Sequence, residues 1–351
     1  MNKRVFLAIL LITACTKEKS IAPENGMPTV KAESSYTVLT DRDITYAEGL
    51  SHNASSATPF SIPLKLDVYY PDNNSTNRPI FMFIHGGGFT GGIKHKPEIV
   101  EMANYFASRG WVFVSVDYRT TEELGTIQGM TPEEVVTYYK GIVPQEWVST
   151  ALQGAQNSGQ VQQSNAMYLA QRDAKAALRW IVANSITYNI NSDFITVGGA
   201  SAGAITTIAL GISNQEDFRD EISSNDDPTL ATTNLNESYV VKSMVYYWGS
   251  NIKLDFFEAV YELNQYDRYD ASDPELFMGH GTAEDPLTPY EEALELQGIF
   301  DSLGIYNKLA TLLKPNGEPA GHGAWNAVVD GKSLSELTFD FLVERQNLTV
   351  Q

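Results

Sequence analysis

Gly199-Ala200-Ser201-Ala202-Gly203 fits the pattern G-x-S-x-G, in which a serine stands on a sharp strand-to-helix turn with its hydroxyl exposed. The neighbouring sequence supplies that context: Phe194 to Gly198 reads as a short buried strand, and a helical run opens near Ser201. The flanking glycines suit a turn in which a Cβ would strike adjacent backbone. A helix N-terminus beneath the serine favours developing negative charge. Ser201 is therefore a candidate nucleophile, and a serine hydroxyl at neutral pH needs an adjacent base.

Five histidines are available, at 52, 85, 95, 280 and 322. His322 stands in Gly321-His322-Gly323, a flexible loop just past a late strand-like run, where an imidazole can swing over Ser201. His280, in Gly279-His280-Gly281-Thr282, is expected to shape a turn, and His85 to hold a loop. The base in turn needs a carboxylate that fixes its tautomer and stabilises the imidazolium. Glu284 and Asp285 both follow a strand-like run. Asp285 is the preferred acid because it precedes Pro286 at a turn, and Glu284 stays as the alternative. Acyl transfer also needs donors aimed at the oxygen that becomes negative. In His85-Gly86-Gly87-Gly88-Phe89 three glycines leave backbone amides uncovered. The N–H groups of Gly87, Gly88 and Ala202 are the candidate oxyanion hole.

These groups must be positioned by strands and helices in alternation, the signature of an α/β fold with a mostly parallel sheet covered by helices on both faces. Leu64 to Tyr70 alternates and stops at Pro71, as an edge strand would. Pro79 to Ile84 and Trp111 to Val116 are continuous apolar runs, as in strands buried on both faces. The helical run Pro97 to Arg109 joins them into a βαβ unit. A long helix is expected over about 164–185, with Met167, Ala170, Ala174, Leu178 and Ile181 on one stripe. Further strands are expected over Val240 to Trp248, Leu276 to Gly279 and Ile305 to Leu313, and helices over Pro289 to Leu303 and Leu334 to Val343. Two irregular insertions, about 120–163 and 213–270, follow strands and are expected to roof the site, since loops at strand carboxyl ends build ligand sites in such sheets. Phe89, Trp248 and Trp325 are candidate pocket residues, although aromatics beside a sheet also serve as core.

The motifs together resemble the hormone-sensitive-lipase-like branch of the α/β-hydrolases, which includes bacterial carboxylesterases. The resemblance covers roughly residues 60–345 and rests on His85 to Phe89, Val116-Asp117-Tyr118-Arg119, Asp173, Trp180, Gly199 to Gly203, Asp285-Pro286-Leu287 and Gly321-His322-Gly323. The order Ser201, Asp285, His322 is the one this fold uses. The resemblance implies an eight-stranded sheet, a triad working without metal or cofactor, structural roles for Asp117, Tyr118 and Arg119, and hydrolysis of carboxylic esters. Ala200, Ala204 and the segment after Arg119 depart from the branch's usual residues and bear on acyl preference. The expected substrate is a small-molecule or polysaccharide-linked ester. The competing readings are an oligopeptidase-like serine peptidase, for which no segment is long enough to form a propeller, and a non-catalytic binding protein on a hydrolase scaffold.

The chain has 351 residues, 43% of them hydrophobic, and a net charge of −19. That length suits a single domain over 36–351. The acidic balance, without basic runs beyond the first positions, makes nucleic acid and anionic membrane surfaces poor partners for the folded body. Lys3 and Arg4 precede an apolar stretch, Val5 to Ile12, too short to span a bilayer. Residues 1–14 therefore read as a signal peptide. Leu11-Ile12-Thr13-Ala14-Cys15 resembles the lipobox of bacterial lipoproteins, and Cys15 is the chain's one cysteine, so no internal disulfide forms. Residues 15–35 read as a lipidated tether, giving a lipid-anchored protein of the bacterial cell envelope whose membrane contact runs through Cys15 alone. Replacing Cys15 with Ala is expected to release the protein from sedimented membranes, and unchanged sedimentation would contradict the anchor.

Overall fold

In the computed structural model the described residues are 26–53, 56, 58–251, 257–258, 261 and 266–351. The expected signal peptide and Cys15 lie outside them. Eight strands form the central sheet: β1 (Val38–Ser51), β2 (Phe60–Pro71), β3 (Arg78–Ile84), β4 (Val112–Val116), β5 (Ile190–Ala200), β6 (Val241–Tyr247), β7 (Glu275–Gly281) and β8 (Asn307–Leu312). Their spatial order is β1-β2-β4-β3-β5-β6-β7-β8. Every neighbouring pair is parallel except those that β2 makes with β1 and β4.

The longer helices among the described residues are α1 (Pro97–Ala107), α2 (Pro132–Tyr138), α3 (Gln145–Gly154), α4 (Ser158–Ala183), α5 (Ala202–Ile212), α6 (Tyr290–Leu303) and α7 (Leu334–Gln346). Strand β3 shows why the sheet is covered on both sides. Ile80, Met82 and Ile84 join one apolar cluster with α4, α5 and α6, while Phe81 and Phe83 join a second with α1 and α7. The period-two alternation of side chains thus divides one apolar run between two cores. Among the described residues no helix is long and apolar enough to cross a membrane.

Several features differ from the sequence-based expectation. The segment Leu64 to Tyr70 is interior, because β1 pairs along its outer side. Strand β1 itself carries the edge: much of its first half is exposed, its register slips between Asp41 and Ile44, and Asp43 has φ 55°. Such bulges are a common device of edge strands. The 120–163 insertion is compact and helical. Thr131 and Glu134 form a capping box at α2, and the Asn157 side chain accepts from the Gln160 N–H to start α4. Trp147 and Val148 of α3 are buried in the larger core cluster.

Residues 29–36, most of them within the segment read as a tether, pack on the body. Thr29–Val30 pairs in parallel with Thr349–Val350. Lys31 donates to the Arg109 carbonyl, and Ser35 and Tyr36 donate to that of Ser108. These contacts lie at the amino-terminal end of β4, just past α1. The Asn77 amide, at the start of β3, donates to the Gly26 carbonyl at 2.6 Å.

One buried ion pair ties α4 to the segment after β4. Arg119 donates through Nε and Nη2 to the Asp173 carboxylate, whose Oδ2 also accepts the Arg119 N–H at 2.8 Å, and Arg119 Nη1 donates to the Leu50 carbonyl at 2.7 Å. Both side chains are buried. Removing one partner strands the other charge in the core, at a cost of about 3–5 kcal/mol. Asp173→Ala is therefore expected to lower unfolding free energy by about that much, read as a reduced urea midpoint.

Candidate active site

The turn between β5 and α5 brings Ser201 to the carboxyl edge of the sheet. Ser201 has φ 56° and ψ −120°, a conformation that costs a non-glycine residue on the order of 1–3 kcal/mol. Its N–H donates to the Tyr247 carbonyl at 2.9 Å, which holds the turn against β6. Close packing explains the flanking glycines. A Cβ on Gly199 would fall on the Gly203 carbonyl, and one on Gly203 would fall on the Ile84 carbonyl at the end of β3.

His322 and Asp285 converge on this serine from loops after β8 and β7. His322 Nδ1–H donates to Asp285 Oδ2 at 2.8 Å, and Nε2 accepts from the Ser201 hydroxyl at 3.0 Å. The Asp285 side chain is only 5% exposed, against 35% for His322. Asp285 Oδ1 accepts from the N–H groups of Leu287 and Thr288, and Oδ2 from the Thr288 hydroxyl at 2.6 Å. Burial pushes the carboxyl upward. The Thr288 hydroxyl, the Leu287 N–H, His322 and the Thr288 N–H together outweigh it and hold the group below the usual aspartate range. Glu284 is exposed. His280 is buried, with Nδ1 donating to the Gly281 carbonyl at 2.9 Å, which agrees with a turn-shaping role.

The glycine loop after β3 is built so that its carbonyls face protein. That of His85 accepts from the Tyr118 hydroxyl, Gly86 from His85 Nδ1, Gly87 from the Thr90 N–H, Gly88 from Gln163 Nε2 and Phe89 from the Thr121 N–H. Gly87 has φ 137°, and a Cβ there would fall on the Gly91 carbonyl. Burial pushes the His85 imidazole down to about 4, so the ring is neutral at pH 7 and stacks on Tyr118 at 4.4 Å. By contrast the N–H groups of Gly87, Gly88 and Ala202 have no hydrogen-bond partner among the described residues. Three donors with no acceptor among the described residues, next to the Ser201 hydroxyl, suit a ligand oxygen.

Ser201 opens into a cavity of about 620 Å³. Phe89, Met167, Ile205 and Leu287 supply apolar lining, and Gln156, Gln160 and Gln163 supply amides. None of the described residues lining it is charged. Phe89 is thus on the cavity wall, as expected, but Trp248 and Trp325 are not. Their rings pack edge to face at 5.1 Å behind His322, whose ring lies 6.5 Å from Trp248. Trp248 is buried beside Tyr247 and Phe277, so it backs the base instead of facing substrate. Of the two insertions, 120–163 lines the cavity through α3 and the start of α4. The described part of 213–270 packs on α3 and α4, with Phe218 and Phe257 against Trp147, Arg172 on Asp227 and Arg179 on the Thr233 carbonyl. Thr288 and Gln163 are site residues that sequence reasoning missed. The Asp285-x-x-Thr288 spacing of a side-chain-capped turn was the available signal for the first.

The BD-FAE family profile matches residues 66–128 and 160–299, more than half of the chain. The chain belongs to the BD-FAE family. BD-FAE members are esterase-like α/β-hydrolases, and the matched residues take in the glycine loop, the Ser201 turn and Asp285. Solved structures agree on the fold. A truncated carbohydrate esterase from gut microbiota aligns with TM-score 0.53 and 16% identity over 91% of this chain and 99% of its own. A propionate-bound thermophilic esterase of Thermogutta terrifontis gives 0.54 and 19%, over 85% and 94%. The form of that esterase phosphorylated by paraoxon gives 0.51 and 18%, over 86% and 95%. Among curated relatives, the 5-methylorsellinic acid synthase of Aspergillus terreus is 32% identical over 101 residues, 28% of this chain. The chain spans 4% of that synthase's length.

The Asp285 carboxyl lies below its unfolded value, so it stabilises the folded state above about pH 3.9 and loses that contribution as pH falls through the lower folded value. The stability difference between the native protein and Asp285→Asn, read by urea unfolding, is expected to hold steady between about pH 7 and 5 and to shrink below about pH 4.

Proposed function

We propose that this BD-FAE member is a serine carboxylic-ester hydrolase acting through Ser201, His322 and Asp285 and an acyl-enzyme intermediate. The supporting observation is the unbroken chain of contacts, 2.8 Å from Asp285 to His322 and 3.0 Å from His322 to Ser201, beside three amides with no protein acceptor. His322 Nε2 takes the Ser201 proton as Oγ bonds to the ester carbonyl carbon. The carbonyl oxygen becomes negative and accepts hydrogen bonds from Gly87, Gly88 and Ala202. Asp285 stabilises the imidazolium, which then gives its proton to the departing alcohol oxygen as the C–O bond breaks. Water repeats the sequence on the acyl-enzyme: its proton goes to His322, its oxygen to the acyl carbon, and Ser201 leaves reprotonated.

The amide-rimmed cavity, whose described lining residues carry no charge, supports a neutral ester, of a small molecule or of a carbohydrate. A charged acyl group entering there would lose hydration without gaining a counter-ion among the described lining residues. The lipobox-like segment ending at Cys15 supports a cell-envelope location with a lipid anchor.

The test is turnover of p-nitrophenyl esters of graded chain length and of acetylated xylan, alongside labelling by a fluorophosphonate. Organophosphate capture by the Thermogutta terrifontis neighbour motivates the label. The native enzyme is expected to hydrolyse short esters and to be labelled on Ser201. Ser201→Ala is expected to lose on the order of 10⁶ in kcat and all labelling. Near-native turnover by Ser201→Ala would overturn the assignment.

A further inference from the structure

Thr288 stands between Asp285 and the start of α6, and its side chain is buried. Its Oγ1 is 2.6 Å from Asp285 Oδ2 and 3.0 Å from His322 Nδ1, so one hydroxyl touches both the acid and the base. Its direction of donation follows from the partners. Asp285 is held in the ionised form at neutral pH and can only accept. A hydrogen bond to a carboxylate is also stronger than one to a neutral imidazole nitrogen. The Thr288 proton therefore points at Asp285, and its oxygen presents lone pairs to His322 Nδ1.

We propose that Thr288 is a positioning residue that locks His322 in the tautomer able to accept the Ser201 proton. Its role presupposes the triad chemistry proposed above. With the proton on Nδ1, the N–H is shared between Asp285 Oδ2 and Thr288 Oγ1, and Nε2 offers its lone pair to Ser201. With the proton on Nε2, the bare Nδ1 would face two acceptors, and the Thr288 hydroxyl would have to abandon the carboxylate to relieve it. The wrong tautomer thus carries a penalty of one charge-assisted hydrogen bond. The backbone N–H of Thr288 adds a second tie to Asp285 at 3.3 Å, so the turn that places the acid also places the hydroxyl.

Thr288→Val keeps the shape and removes the hydroxyl, while Thr288→Ser keeps the hydroxyl. On short p-nitrophenyl esters, Val is expected to lower kcat about tenfold with KM unchanged, the size of losing one hydrogen bond to a charged group. Ser is expected to stay within about twofold of native kcat. Urea unfolding of both variants separates this effect from loss of fold. In ¹⁵N-histidine-labelled protein, the neutral His322 ring is expected to carry its proton on Nδ1 in the native and Ser forms, and to show a mixture with the Nε2-protonated form in Val. Native kcat in Val, equal impairment in Ser and Val, or a rise in KM at constant kcat would each overturn the role. If the native protein turns over no ester at all, the esterase reading fails on its own, and the ring-nitrogen spectra still decide what Thr288 does.

Discussion

The site depends on how closely two parallel strands end together. In the β3–β5 pair Ile84 is registered against Gly199, so the glycine loop and the serine turn emerge side by side. Gly203 then lies directly on the Ile84 carbonyl, leaving no room for a side chain between α5 and β3. That contact forces the turn to be tight, and the tight turn places Ser201 at a positive φ. The strain is affordable because the sheet on either side is fully buried and the Ser201 N–H is taken up by β6. Ser201 and the amides of the glycine loop beside it are thus set by backbone packing, before any side chain in the cavity is considered.

Helix α4 couples that backbone frame to the cavity. Its first turns supply Gln160, Gln163 and Ser164 to the wall, and Gln163 holds the Gly88 carbonyl at 2.6 Å. Farther along, Asp173 neutralises Arg119 in the core, and Arg172 and Arg179 fasten the 213–239 segment. One continuous helix therefore fixes the glycine loop, the cavity wall and the packing behind it. The tryptophans contribute differently. Trp248 and Trp325 form a rigid apolar backing for His322, limiting the directions in which the imidazole can turn.

What the sequence disclosed follows from how local each determinant is. The Ser201 turn, the glycine loop and the apolar runs of β3 and β4 are short continuous patterns whose physics does not depend on distant partners. The three residues Ser201, Asp285 and His322 meet in space although far apart in the chain, and their candidacy could be argued because each sits just past a strand-like run. Strand β1 was missed because an edge strand with Asp41, Arg42 and Asp43 has little apolar signal. The helices of 120–163 were hidden by their Thr, Gln and Gly content, although the Thr131–Glu134 box marks a helix start. Trp248 and Trp325 were misplaced because sequence shows that an aromatic is near a strand end, not which side of the histidine it takes. The Asp285-x-x-Thr288 spacing marks the turn, but the contact of Thr288 with the His322 ring, 34 positions away, lies in no local pattern.

The pairing of Thr29–Val30 with Thr349–Val350 and the bonds to Ser108 and Arg109 sit at the amino-terminal rim of the sheet. Ser201, Asp285 and His322 sit at the opposite rim, where the parallel strands end. The described amino-terminal segment, from Gly26 to Tyr36, therefore packs on the side of the body opposite Ser201. That segment leaves the mouth of the Ser201 cavity uncovered, so the contacts that fasten the start of the described chain do not narrow the entrance.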